Sequence, residues 1–511
     1  MCIRDRIPTL EITGKKATLL SDGKPFLMLA GEAHNSSGSS LTYMKESVWP
    51  YLRPLNLNTL VVTVTWELLE PVPGEFDFSL PDGLIQQAEE EGVKLVFLWF
   101  GLWKNGMSTY VPDWVKQDRG TYFFMRDRWG KPVNAVSPLC QAGVERDAAA
   151  FTALMSHLKE FDVNRTVLMV QVENEMGLLG DCRDFSPAAE KAYAEAVPTD
   201  AADFCGVNGT WDEAFGEEAP ELFMTYHYAK ATQQIAAAGK AVYPIPLYVN
   251  AWLEQHPWTP GTYPAGGPIA RHMDWWKQFA PAVDFQSPDI YLPDFEAVCR
   301  EYTAMGNPLF IPEARPSQDS ASNVFSAVGK FGALGFSPFA IETVGKEGPS
   351  PDKSLLGGLN IMAEAFNHYR SGEYLGLSYR LLGGMTELLC KYRCTSHMMG
   401  FTRGIDEVGG LVKFSKYDFR IDYMPNSVES PKGGGLIIEL SDDEFLFCGL
   451  NYHVTPLPKN NDPSHVEYVS ITEGRYENNV WIPERQLNGD EFRIMFREKP
   501  SVLRCRFLRC R

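Results

Sequence analysis

Eight short apolar runs, each ending in polar or aromatic residues, constrain this chain more than any other feature. They read PFLMLAGEAHN (25–35), NTLVVTVTWE (58–67), VKLVFLWFG (93–101), TVLMVQVENE (166–175), IPLYVNAW (245–252), VDFQSPDIY (283–291), PLFIPEAR (308–315) and SPFAIE (337–342). A near-continuous apolar run suits a strand covered on both faces, and strands that alternate with helices pair in parallel. The intervening stretches SLPDGLIQQAEEEG (79–92), GVERDAAAFTALMSHLKEFD (143–162) and APELFMTYHYAKATQQIAAAGK (219–240) have helical character. Eight such units predict an α/β fold, the (β/α)8 or TIM barrel. A doubly wound open sheet is the alternative. It accounts for the count less well, and no glycine-rich phosphate loop follows the first run.

The pattern changes near residue 395. GGLIIELSDDEFLFCGLNYHV (434–454), HVEYVSITEG (465–474), FRIMFRE (492–498) and SVLRCRFLRCR (501–511) are strand-like and separated by turn residues. They predict a C-terminal antiparallel β-sandwich domain. The expected organisation is an N-terminal segment (1–24), a barrel (25–370) closed by the helix LGGLNIMAEAFNHYR (356–370), a bridging helix (371–395) and the sandwich (396–511). Residues 178–218 form a long insertion after the fourth strand, on the face where barrels carry their sites.

The formal net charge of the 511 residues is -18. Nucleic acid and anionic membrane surfaces call for a basic face, so neither is expected as a partner. No apolar run is long enough for a transmembrane helix. The ten cysteines are scattered, and only Cys390 and Cys394 stand close together without a second pair, so no metal and no cofactor is expected. The opening MCIRDR lacks the apolar core of a signal peptide and has the form of a translated adapter. If it is one, the true N-terminus lies ahead of it, and a periplasmic or secreted location of a bacterial protein stays open alongside the others.

Barrel chemistry collects at the C-terminal strand ends. There this chain carries Glu32 and His34, Trp66 and Glu67, Trp99 and Trp103, Asn174 and Glu175, Asn250 and Trp252, Tyr291, Glu313 and Arg315, and Glu342. Acids, aromatic rings and amides in one ring suit sugar chemistry. Glycoside hydrolysis needs two carboxyls flanking one bond, and aromatic faces stack on pyranose rings. Trp99, Trp103, Trp252 and Trp258 divide between substrate platform and packing, and HMDWWKQF (272–279) reads as a helix face with core tryptophans. Strict strand alternation would turn Asn174 and Glu175 to opposite sides, so the strand end must bend if both serve one substrate. Glu173 has the parity of Glu175 and is expected one layer deeper, hydrogen-bonded to a neighbouring strand.

QVENEMG (171–177) resembles the fourth-strand signature of family 35 of the glycoside hydrolases, the β-galactosidases, within the clan of retaining barrel glycosidases. NTLVVTVTWELLEPVPGEFDF (58–78) resembles the same family through Trp66, Glu70, Pro71, Gly74, Phe76, Asp77 and Phe78. The resemblance runs over most of residues 25–345. It implies Glu175 as acid/base, Glu313 as nucleophile with Glu342 as its rival, and Asn174 on the sugar 2-hydroxyl. By their places at the strand ends, Tyr291 and Arg315 are expected to orient Glu313, and Tyr291, His34, Glu32, Trp66, Trp99, Trp103 and Trp252 to meet substrate. Glu67 and Leu69 stand where the family has Asn and His, the third strand lacks its Ala-Glu pair, and Asn35-Ser36 replace its Tyr-Arg. The catalytic pair is therefore matched more fully than the galactose pocket.

The implied activity is a retaining exo-β-galactosidase acting by double displacement on oligo- or polysaccharides. A retaining β-glycosidase of another specificity, such as a β-glucosidase or endo-glucanase, is the second reading. A catalytically dead carbohydrate-binding barrel is the third.

Overall fold

The computed structural model describes residues 7–346, 370–425 and 430–510, apart from 15, 460, 461 and 463. Eight strands form one closed barrel: β1 (Met28–Glu32), β2 (Thr59–Thr65), β3 (Lys94–Lys104), β4 (Val167–Asn174), β5 (Leu247–Trp252), β6 (Phe285–Ile290), β7 (Phe310–Ala314) and β8 (Gly335–Pro338). They follow one another around the barrel in chain order, and β8 returns to β1. Closure excludes the doubly wound sheet. Every residue of β1, β2, β4, β6, β7 and β8 is buried, which is why their sequences run apolar without alternation.

By packing, the chain forms two compact units: residues 1–9, 35–44 and 61–289, and residues 10–34, 45–60 and 290–511. In the first, the helices Gln141–Phe161 and Ala219–Val242 pack together. Gly239 permits the approach, since a Cβ there would sit 2.4 Å from the Phe151 ring. The helix Ser79–Glu91 stops at Gly92, which takes a left-handed turn (φ 69°) and returns its N–H to the last helical turn. The insertion after β4 folds into three short helices: Pro187–Ala194, Thr199–Cys205 and Trp211–Phe215. Arg128, in the turn between the paired strands Phe124–Arg126 and Pro132–Val136, reaches Asp181 at 2.5 Å and ties that hairpin to the insertion.

In the second unit, the helices Ser371–Gly383 and Thr386–Tyr392 lead out of the barrel sequence. The Tyr379 hydroxyl lies 2.7 Å from the Ala30 carbonyl and 2.9 Å from that of Phe336, so the first helix is pinned to both β1 and β8. The helix expected over 356–370 falls outside the described residues except for Arg370. The C-terminal domain has a six-stranded and a four-stranded antiparallel sheet. Phe401, Phe419, Phe445, Phe447 and Phe507 meet in one core drawn from both sheets. Burying each such ring is worth about 1.5–3 kcal/mol, so the sandwich has a core of its own. No helix among the described residues is long and apolar enough to cross a membrane.

Candidate active site

The last residues of β4 break regular strand geometry. Glu173 and Glu175 both have positive φ, 62° and 45°. The pairing with β3 slips at the same place: Trp99 stands opposite Val172, but Lys104 stands opposite Asn174. Residues 100–103 of β3 therefore form a bulge where β4 advances by only two positions. This is the bend that strand parity required.

A buried acid pair supports the bulge. Glu173 accepts the N–H of Leu102 at 3.1 Å and that of Trp103 at 2.7 Å. Asp147, from the helix Gln141–Phe161, accepts the Trp99 indole N–H at 2.7 Å and the Leu102 N–H at 2.8 Å. Both carboxyls are fully buried. Burial, and after it the charge of Asp147, pushes Glu173 well above the usual carboxylate range, and burial raises Asp147 too. A proton held on Glu173 would relieve the repulsion between the two carboxylates. Gly101 passes directly over it, and a Cβ there would lie 2.3 Å from Asp147 Oδ2 and 2.6 Å from Glu173 Oε1.

Asn174 is fully buried and its Oδ1 accepts from Lys104 Nζ at 2.8 Å. Its Nδ2 has no hydrogen-bond partner among the described residues. A buried amide donor without a partner is costly, and a substrate hydroxyl would satisfy it. The Glu175 N–H donates to Asn250 Oδ1 at 2.9 Å, and Asn250 Nδ2 donates to Asp289 Oδ2 at 2.7 Å. One amide thus fixes the Glu175 backbone and a carboxylate at the end of β6. Carboxyl oxygens of Glu175 and Asp289 lie within 4.8 Å of each other.

In the second unit, Glu313 stands near the end of β7, 5 % exposed. The Tyr291 hydroxyl donates to its Oε2 at 2.8 Å, while Oε1 is buried with no hydrogen-bond partner among the described residues. The Arg315 N–H donates to the Ile290 carbonyl at 2.9 Å, joining the ends of β6 and β7. Glu342 is fully buried and receives the backbone N–H of His34 on both oxygens, at 3.1 and 3.2 Å. It secures the loop after β1. The exposed His34 ring has Nε2 2.8 Å from Thr343 Oγ1. Glu32 ends β1, buried.

Three tryptophans expected to meet substrate are instead fully buried. Trp66 donates its indole N–H to Glu70, Trp99 to Asp147 and Trp103 to the Val136 carbonyl. With the ring packed and the N–H bonded inside the protein, none presents a face to a sugar. Trp252 is half-buried at the end of β5, and Trp258 in the loop beyond is 61 % exposed. Glu67 pairs with Lys116 at 3.2 Å. Trp275 and Trp276, on the helix Met273–Phe279, are core residues.

Sequence reasoning left out Lys104, Asp147 and Asp289. Lys104 and Asp289 sit in strand ends already in view, and a charged residue inside an apolar run was the available signal. Asp147 lies among polar helix residues and gave none. Among groups with metal-ligating atoms, His465, Glu467 and Cys510 come together at a sheet edge, with His465 2.8 Å from Glu467.

Residues 51–221 match the family model of the glycoside hydrolase 42 β-galactosidases, and residues 375–497 match a domain of unknown function, DUF5597. The first match carries Asn174 and Glu175. The matching model is that of the family 42 type; family 35, which the motifs suggested, finds no support in it. No curated protein matches the chain. Among solved structures, the catalytic domain of β-amylase from Paenibacillus polymyxa is 15% identical, with 66% of this chain and 98% of that one covered and a TM-score of 0.49. The cold-adapted β-galactosidase from Rahnella sp. R3 is 17% identical, with 72% and 57% covered and a TM-score of 0.48. The β-galactosidase from Bacillus circulans sp. alkalophilus is 14% identical, with 70% and 56% covered and a TM-score of 0.47. This chain spans little more than half of either β-galactosidase.

Proposed function

We propose that this chain is a retaining β-glycosidase that removes terminal β-galactose from oligo- or polysaccharides. The observation that carries the reading is the bent end of β4, which offers Asn174 and Glu175 within the residues matched by a β-galactosidase family model. Glu313, near the end of β7, is the nucleophile, and Glu175 is the acid/base. Glu313 Oε1 attacks the anomeric carbon while Glu175 protonates the departing glycosidic oxygen, giving a glycosyl ester and a free alcohol. Glu175 then takes a proton from water, which displaces Glu313 and releases the sugar with its configuration retained. Double displacement requires carboxyls about 5–5.5 Å apart. Tyr291 supports the role of Glu313 by holding Oε2, which leaves Oε1 for the attack. The Asn174 Nδ2 donor suits the sugar 2-hydroxyl, where hydrogen bonds strengthen in the transition state.

The test is hydrolysis of a panel of aryl β-glycosides by wild type, Glu175→Ala and Glu313→Gly, with the first-formed anomer read by proton NMR. Release of β-galactose from the β-galactoside, lost in both variants, is the expected result. Release of another β-sugar would retain the mechanism and discard the galactose assignment. An inverted product would overturn the mechanism. A folded wild type that cleaves none of the panel would overturn the exo-glycosidase reading.

A further inference from the structure

The second unit opens a cleft of about 670 Å³. Part of its wall comes from the ends of β6 and β7. Ile290 and Leu292, which line it, flank Tyr291, the residue that donates to Glu313. Arg315, two positions after Glu313, lines it too. The C-terminal domain contributes the rest of the lining, including Arg403 and Lys432. Both fall within the residues that match the domain of unknown function.

Three cations and one carboxylate, Asp319, therefore face one cavity. Arg403 is held in place by two backbone carbonyls, Glu407 at 2.7 Å and Met424 at 2.9 Å. Lys432 donates its backbone N–H to Asp319 at 2.9 Å. The Lys432 side chain is half-buried, and its ammonium makes neither a hydrogen bond nor an ion pair among the described residues. The charges of Asp319, Glu296, Asp294 and Glu407 favour its charged form, yet burial outweighs them and lowers its pKa. Glu296 is already taken by Lys330 and Ser326, and Glu407 by the Gly404 N–H. An ammonium removed from water without a partner is costly, and an anion entering the cleft would offset that cost.

We propose that this cleft receives an anionic sugar residue of the substrate, a uronate carboxylate or a sugar sulfate, through Lys432, Arg403 and Arg315. The proposal rests on the glycosidase reading and adds the substrate class to it. It also gives the C-terminal domain a part in specificity.

The experiment compares three β-galactosyl disaccharides whose second sugar is neutral, a uronate or sulfated. Hydrolysis by wild type gives kcat/KM, and calorimetry on Glu175→Ala gives affinity without turnover. One acidic disaccharide is expected to exceed the neutral one by about tenfold in both readouts, the size of one charge-assisted hydrogen bond. Comparing the uronate and sulfate arms identifies the anion. The preference should fall as salt rises from about 0.01 M to about 1 M, because the Debye length shrinks from about 30 Å to about 3 Å. Lys432→Met should lower the ratio of acidic to neutral affinity several-fold. The salt series on wild type decides the matter even if that variant does not fold. Equal affinity and equal kcat/KM for all three sugars would overturn the cleft and leave the glycosidase standing. Salt-sensitive binding of acidic sugars by a protein that cleaves no glycoside would sustain the cleft as an anion site and overturn the glycosidase.

Discussion

The ammonium of Lys104 donates to Asn174 Oδ1 over 2.8 Å, and both residues are buried. An ammonium can only donate, so it selects which end of the carboxamide it meets and turns Nδ2 the other way. Lys104→Met keeps most of the stem and removes that selection. In the aryl β-galactoside assay, kcat/KM should fall about 10- to 100-fold, the cost of losing one hydrogen bond to a charged group. Unchanged kinetics in a folded variant would mean that the orientation of Asn174 is set elsewhere.

Gly101 leaves no room for a methyl group: its Cβ would stand 2.3 Å from Asp147 Oδ2 and 2.5 Å from Trp99 Nε1. Gly101→Ala should therefore cost about 1–3 kcal/mol by overpacking. Urea unfolding measures this directly. Wild-type stability in that variant would show that the β3 bulge can relax without disturbing the acid pair.

The same acid pair makes stability fall with rising pH. The folded pKa values of Glu173 and Asp147 lie above their unfolded values. Their contribution is fully present below the unfolded values, about 4.3 and 3.9, and is lost as pH rises through the folded ones. Glu173→Gln cannot titrate, so its stability relative to wild type should improve steadily with rising pH. Parallel stability–pH curves for the two proteins would show that the pair carries no such proton.

On the acid side the sign reverses. His272 is buried with Nδ1 3.0 Å from Thr225 Oγ1, and burial, helped by Arg271, lowers its pKa to about 3. Burial lowers His227 to about 4. Below the unfolded value of about 6.5 the unfolded chain takes up protons that the folded chain refuses, so stability should drop as pH falls from there toward the folded values. His272→Gln should flatten that acid limb in thermal unfolding across the range. An unchanged slope would assign the acid sensitivity to other groups.

The barrel was legible because strands buried on both faces have no polar side to write into the sequence, so each reads as an unbroken apolar run. The sandwich was legible from strand-like runs divided by turns. Glu175 and Glu313 stood out because a carboxylate at the end of such a run has few structural excuses. The partners of these groups were not legible. Asp147 meets Glu173 only because a helix face and a strand bulge coincide in space, and no local pattern encodes that. Residue type also misled: Trp66, Trp99 and Trp103 suit a sugar platform as well as they suit packing, and depth, which sequence does not state, decided for packing.

The support beneath β4 is built from parts that point mutation seldom reaches. Glu173 is anchored by the amide hydrogens of Leu102 and Trp103, and every residue except proline supplies one. Side-chain replacement at those two positions leaves the anchor in place. Sequence drift along this stretch of β3 can thus reshape what lies around the strand end while its register with β4 persists. The positions that do not share this tolerance are Gly101, Asp147 and Glu173, one from each of the three elements that meet there.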